Sequence, residues 1–339
     1  MNLPKIGIVI IGINVEKYIG GCIQSVFDSE YPKDLINIAY ADGGSNDNSI
    51  NIAKEYNNVR IIELNDSSPT PGKGRNAGWK NIDGDLIQFL DADTTMDPYW
   101  LKNALQYFSD DIVAVCGNRE EKYPKKNVFH IIANMEWRYT YGECRYFGGD
   151  VIVKRNILKL TGGYNDLLIA GEDPELSYRI RHMKYKIVRI DKLMTTHDIN
   201  MSTFNQYFKR AYRSGHAYAE VGLKLIKNKE KMWLRELLRV TLRSFAPIIG
   251  LIIGGIINKP LLGFIMGFCI LFKPFASLKK LKAQYKESWL ITIIYATHAT
   301  FIVYPQLMGA IRFIIGKIFN KPLTNKGIVK GLLQEPRYR

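Results

Sequence analysis

Asp91-Ala92-Asp93 ends an apolar run at 86–90, so two carboxylates one residue apart stand at the end of a predicted strand. Hard divalent cations take carboxylate oxygens, and Mg²⁺ commonly sits between one or two carboxylates and substrate phosphates. A solvated turn would use the same residues. A second cluster, Asp42-Gly43-Gly44-Ser45-Asn46-Asp47, ends another apolar run. Its glycines let the backbone approach a ligand closely. Asp42 could accept hydrogen bonds from a base or ribose, while Ser45 or Asp47 could cap the next helix.

Three further clusters carry chemistry. Gly72-Lys73-Gly74-Arg75-Asn76-Ala77-Gly78 sets two cations where a helix should begin. That environment suits phosphate, although the spacing is not that of a Walker loop; a surface turn is the structural alternative. Gly171-Glu172-Asp173 offers an acidic pair at a helix start. Such a pair complements the helix dipole, or supplies a general base. Thr196-His197-Asp198 places a histidine after a strand, where it could complete a metal site.

The elements that must position these groups alternate. Strands are predicted at 6–13, 36–40, 59–64, 86–90 and 112–116, and helices at 15–27, 48–56, 73–81 and 98–108. Strand–helix alternation implies a mostly parallel sheet flanked by helices. In such sheets ligands bind beyond the carboxyl ends of strands, which is where Asp42 and Asp91 fall. Further on, helices are predicted at 127–141, 173–183 and 202–227, with strands at 145–153 and 185–190.

The chain has 339 residues and a net charge of +15. The charge is uneven: Lys209, Arg210, Arg213, Lys224, Lys227, Lys229, Lys231, Arg235, Arg239 and Arg243 form a basic block beside an apolar region. Nucleic acid would want basic residues on one soluble face with aromatics between them. Basic residues beside apolar runs suit the anionic face of a membrane instead. Two such runs follow, 245–272, interrupted by Asn258-Lys259-Pro260, and 289–311, which carries His298. A transmembrane helix needs about 20 apolar residues. Lys273, Lys279, Lys280, Lys282 and Lys286 lie between the runs, and lysine marks the cytoplasmic side. Both flanks of the first run are then cytosolic, which favours a hairpin or re-entrant pair. No apolar leader precedes a cleavage site at the N-terminus, so the catalytic part is expected in the cytosol at the cell membrane. The four cysteines form no metal or redox pair and are expected to be reduced.

In order and type these motifs resemble the glycosyltransferases of family 2, which have the GT-A fold; the resemblance covers roughly 4–215. Asp42 to Asp47 looks like the family's Asp-Asp-Gly-Ser-x-Asp motif, with Gly43 in place of the second Asp. The resemblance implies that Asp42 binds the base or ribose, and that Lys73, Arg75 and Asp91 help to hold a nucleotide-diphosphate sugar. It makes Asp93 the direct ligand of Mn²⁺ or Mg²⁺, with Asp91 and His197 joining. Gly148, Gly149 and Glu172 fall on the acceptor side, and Asp173 matches the base. Gln206, Arg210 and Arg213 occupy the neighbourhood of the Gln-x-x-Arg-Trp mark of processive synthases without its Trp. Trp137 and Tyr139 are candidates for sugar stacking.

The expected organisation is a catalytic domain at 1–228, a basic juxtamembrane segment at 229–244, transmembrane or membrane-embedded helices at 245–315 and a basic tail at 316–339. The expected activity is inverting transfer of one sugar to a lipid-linked or saccharide acceptor at membrane lipids, without nucleic acid. A polyprenyl-phosphate sugar synthase is an alternative. A non-catalytic membrane scaffold with a degenerate transferase domain is another, opposed by the presence together of Asp91, Asp93, Asp173 and His197.

Overall fold

Apolar runs such as Ile6–Gly12 are buried nearly end to end, as expected of strands covered on both faces. They form the centre of the fold in a computed structural model that describes residues 3–138, 140–226 and 231–321. Tyr139, Lys227, Lys229 and most of the basic tail at 316–339 lie outside the described residues.

The elements run β1 (Ile6–Gly12), α1 (Ile19–Phe27), β2 (Ile36–Asp42), α2 (Ser49–Lys54), β3 (Val59–Glu63), α3 (Pro71–Lys80), β4 (Leu86–Asp91), β5 (Thr94–Met96) and α4 (Trp100–Leu105). Then come β6 (Ile112–Glu121), α5 (Val128–Glu136), β7 (Gly142–Glu143), β8 (Val151–Lys154), α6 (Arg155–Thr161), α7 (Glu172–His182) and β9 (Lys186–His197). Helices complete the chain: α8 (Phe204–Ile226), α9 (Leu234–Ile256), α10 (Pro260–Leu271), α11 (Lys273–Ala276), α12 (Leu278–Tyr285), α13 (Trp289–Phe301) and α14 (Val303–Ile318).

The strands join one mixed sheet in the order β3-β2-β1-β4-β8-β6-β9-β5, with β7 also paired to β9. The first four in space are parallel. Beyond them β8 enters antiparallel between β4 and β6. The register sets Gly12 of β1 opposite Asp42 and Ile11 opposite Asp91. Two acidic strand ends are thereby brought to one edge on either side of β1. The core beneath is built on large, fully buried side chains such as Trp100, Tyr40, Phe89 and Phe147.

Four elements differ clearly from the sequence expectation. β6 and β9 run past 116 and 190 to Glu121 and His197; parallel pairing continues through their charged ends across register shifts. Residues 145–150 are irregular rather than extended, and α5 stops at Glu136.

The chain divides into two units, 1–124 with 137–199, and 125–136 with the residues from 200 onward. The first holds the sheet. The second is helical, and two of its helical stretches, Leu234–Ile256 and Trp289–Ile318, are long and apolar enough to span a membrane.

Candidate active site

Arg75 organises the site. α3 carries it, and the Gly-rich motif lies inside this helix rather than in a loop before it. Thr70 caps the helix by accepting from the Lys73 N–H at 3.1 Å. Gly74 and Gly78 bring α3 down onto Ile11 and Val9 of β1, so the guanidinium is buried. Its Nη1 donates to Glu172 Oε1 at 2.6 Å and lies 3.6 Å from Asp173 Oδ1. Its Nη2 donates to Asp91 Oδ1 at 2.9 Å. The next residue, Asn76, fastens the loop ahead of α7: its Oδ1 accepts from the Tyr164 N–H, and its Nδ2 donates to Tyr164 O and Asp166. The motif therefore ties the start of α7 to the end of β4, and Arg75 is 2% exposed.

The other oxygen of Asp91 accepts from Arg119 Nη2 at 3.2 Å. Arg119 also grips buried Asp150, Nη2 to Oδ2, at 2.6 Å. Asp150 in turn accepts from the Asp91 N–H at 3.1 Å and from Thr195 Oγ1 at 2.6 Å. Arg119 and Asp150 were absent from the sequence reading. Asp150 follows Gly148-Gly149 directly, which was a usable signal; Arg119 sits in a stretch that reads as charged loop. Burial works to raise the Asp91 carboxyl, but Arg75 and Arg119 outweigh it and hold it below its usual value.

Asp173 is treated differently by its surroundings. Burial pushes its carboxyl well above the usual carboxylate range; Arg75 opposes that, while Glu172 and Asp91 reinforce it. Its Oδ1 is buried without a hydrogen-bond partner. Two carboxylates around one guanidinium thus have opposed proton affinities, the pattern that separates a proton acceptor from a fixed charge.

Asp93, three-eighths exposed, meets His197 across the β5–β9 pair, with Oδ2 2.9 Å from Nε2. Two neighbouring ligands of an octahedral ion with bonds of about 2.1 Å stand about 3.0 Å apart. The pair therefore fits a divalent cation, and both oxygens of Asp91 are occupied by arginines. Trp137 is buried, its ring edge-on to His197 with centroids 4.9 Å apart, and the Arg119 guanidinium lies 5.7 Å from its centroid.

Asp42 is fully buried. Its oxygens accept from the Tyr40 hydroxyl, the Gly44 and Ser45 N–H groups and the Ser45 hydroxyl, so they shape the turn after β2. Lys73 Nζ donates to Asp66 at 2.6 Å and to Ser68 O at 2.9 Å. Gly148 has open space where a Cβ would stand, whereas a Cβ at Gly149 would collide with the Asp91 carboxylate and approach Arg75 Nη2 to 2.9 Å. Gly149→Ala is expected to displace Asp91 and cut turnover about 10²-fold, the scale of an ångström's misplacement. Gly148→Ala should leave turnover near wild type. Equal effects in a donor-turnover assay would remove the packing argument.

The profile of the family described as glycosyl transferase family 2 matches residues 7–165. Glu172, Asp173 and His197 lie beyond that segment. The glycosyltransferase AglE of Haloferax volcanii is 23% identical over 269 residues, covering 76% of this chain and 83% of that protein. The poly(ribitol-phosphate) beta-N-acetylglucosaminyltransferase TarS of Staphylococcus aureus is 28% identical over 111 residues, 32% of this chain and 19% of that protein. The chain thus spans most of the first relative and about a fifth of the second. The mannosyltransferase PcManGT of Pyrobaculum calidifontis, in a structure with GDP-Man and Mn²⁺, has a similar fold: TM-score 0.61, 14% identity, covering 93% of this chain and 88% of that one.

Proposed function

We propose that this chain, whose residues 7–165 match the glycosyl transferase family 2 profile, transfers one sugar from a nucleotide-diphosphate donor to an acceptor at the membrane, with inversion. The observation that carries this is the Asp173 carboxyl: buried, raised in pKa, with an oxygen lacking a hydrogen-bond partner, and held on the same arginine as Asp91. It is suited to take a proton, and Asp91 is suited to stay charged.

In this reading the acceptor hydroxyl oxygen attacks the anomeric carbon from the face opposite the leaving group. The bond from that carbon to the diphosphate oxygen breaks, and its electron pair leaves with the nucleoside diphosphate. The hydroxyl proton passes to Asp173. Arg75 acts as a positioning residue, because its donors are taken up by Glu172 and Asp91. Asp42 shapes the donor-side turn, and Lys73 can exchange Asp66 for a donor phosphate. Gly148 leaves room on the acceptor side, while Gly149 and Glu172 lie against Arg75. Asp93 and His197 would hold Mn²⁺ or Mg²⁺, which when bound offsets charge developing on the diphosphate.

The two apolar stretches and their basic flanks support a membrane location with the catalytic unit on the cytosolic side. The acceptor is then a lipid-linked glycan or saccharide precursor. A polyprenyl phosphate is the second reading: its oxygen is already anionic and needs no base.

The test is turnover of a panel of nucleotide sugars by detergent-solubilised protein with Mn²⁺ and a membrane lipid extract. Nucleoside diphosphate should appear with one donor class, stop in chelator and return with added Mn²⁺ or Mg²⁺. Full activity in chelator would overturn the metal assignment. Absence of release with every donor, despite measurable donor binding, would move weight to the scaffold reading.

A further inference from the structure

We infer that the helical unit is a monotopic anchor: α9 and α10 enter the membrane as a re-entrant hairpin, and α13–α14 lies along α8 without crossing. The inference rests on the membrane location proposed above and adds how the chain meets the bilayer.

The hairpin is closed by glycine. Gly250 and Gly254 of α9 face Gly263 and Gly267 of α10, with four-residue spacing on both sides. A Cβ at Gly254 would stand 3.0 Å from the Cα atoms of Gly263 and Pro260, and one at Gly250 or Gly263 would land on the opposing carbonyl. Backbones this close are the mark of helix pairs packed inside a membrane. The turn between them is short, with the Lys259 N–H donating to Gly254 O at 2.6 Å. Away from the seam α10 is apolar on every side, exposing Leu261, Leu262, Ile265, Met266, Phe268 and Ile270. A helix lying flat on a surface would show a polar face. Yet α10 has 12 residues, about 18 Å of helix against a hydrocarbon core of about 30 Å. It can enter and not cross, and α9 is bound to it.

The second stretch is long enough to cross but is tied through His298 to an ion pair on α5 and α8. His298 of α13 has Nε2 3.2 Å from Glu136 Oε1 of α5 and Nδ1 2.8 Å from the Tyr207 hydroxyl of α8. The same Glu136 accepts from Arg210 of α8 at 2.7 Å. Burial would raise the Glu136 carboxyl, but Arg210 and His298 hold it down at about 2, so it is ionised. α14 is pressed onto α8 as well: a Cβ at Gly309 would meet Tyr212 O, and one at Gly215 would meet Gln306 O. A crossing through 289–318 would take α5 and α8 with it and carry Glu136 and Arg210 toward the midplane. Charged side chains are costly at that depth.

Charge agrees. Arg235, Arg239 and Arg243 lie in the first turns of α9, ahead of its apolar part, Lys279, Lys280 and Lys282 follow α10, Lys317 is in the last turn of α14 and Lys321 lies just beyond it. Basic flanks stay on the cytoplasmic side, so any single crossing would export one of these clusters.

The full-length chain is tested with Lys259→Cys, Lys280→Cys and Lys321→Cys, each against the wild-type background. Spheroplasts and inverted vesicles of the expression host are treated with a membrane-impermeant maleimide. The expected result is labelling above background at 280 and 321 only in inverted vesicles, and at 259 only after detergent. Labelling of 280 and 321 from opposite faces would show that α13–α14 crosses. Labelling of 259 from the face opposite 280 would show that the hairpin crosses. Either overturns the inference while the membrane location stands. Release by a salt wash would also overturn the inserted anchor, whereas recovery of the wild-type chain in the soluble fraction after lysis without detergent or added salt would overturn the membrane location itself.

Discussion

Asp173→Asn is expected to lower kcat about 10²–10⁴-fold, the usual contribution of a positioned base, while donor KM changes little. The substitution keeps size and shape and removes only the charge and its affinity for a proton. Arg75 stays balanced by Asp91 and Glu172, so the frame of the site survives. The pH profile gives a second readout. The base works only when deprotonated, so wild-type kcat/KM should fall as pH drops through the Asp173 pKa. That acid limb should lie above the usual Asp value of about 3.9, because burial raises the group. Stability runs the other way. A carboxyl whose folded pKa is raised contributes fully below its unfolded pKa and loses that contribution as pH rises through the folded value. At pH 7.5 the Asn variant should therefore be as stable as wild type or more so. Nucleoside diphosphate release at the wild-type rate would exclude Asp173 as the base and favour a phosphate acceptor or donor hydrolysis.

Arg75→Met is expected to be the most damaging single change to the fold of the catalytic unit. It leaves Asp91, Glu172 and Asp173 gathered without their shared cation, and removing one partner of a buried ion pair costs about 3–5 kcal/mol. For a unit of this size that is a fall in Tm of about 6–20 °C. The loss should be pH-dependent. Without the guanidinium the folded pKa values of these carboxyls rise above their unfolded values, so stability falls as pH rises through them. The deficit against wild type should then be smaller at pH 5 than at pH 8. Thermal unfolding of the detergent-solubilised chain at the two pH values measures this. A Tm within 2 °C of wild type (about the shift from 1 kcal/mol) would return Arg75 to the phosphate-binding role that the sequence suggested.

Much was legible before any coordinates. Apolar runs broken by acidic clusters located Asp42 and Asp91 at strand ends, because a strand buried on both faces must be apolar until it leaves the sheet. Periodicity placed α7 and so put Glu172 and Asp173 at its first turn. Composition marked two stretches of the helical unit as apolar enough to span a membrane. Each of these follows from local pattern alone.

What the residues do was decided by packing over long separations. Arg75 read as an exposed cation, yet small residues on α3 sink the helix onto β1 and turn the guanidinium to three carboxylates. Asp42 read as a ligand for a base, yet its own turn saturates it. Arg119 and Asp150 are 31 residues apart, and no spacing rule joins them; β8 entering beside β6 does. His197 stands opposite Asp93 because β9 continues beyond Ile190 through the charged residues Asp191 and Lys192, where hydrophobicity gives no sign of a strand. Sequence determines which chemistry is available and where chain segments end. Only the tertiary structure decides which charges are paired, because pairing depends on approach between segments whose separation along the chain carries no information about it.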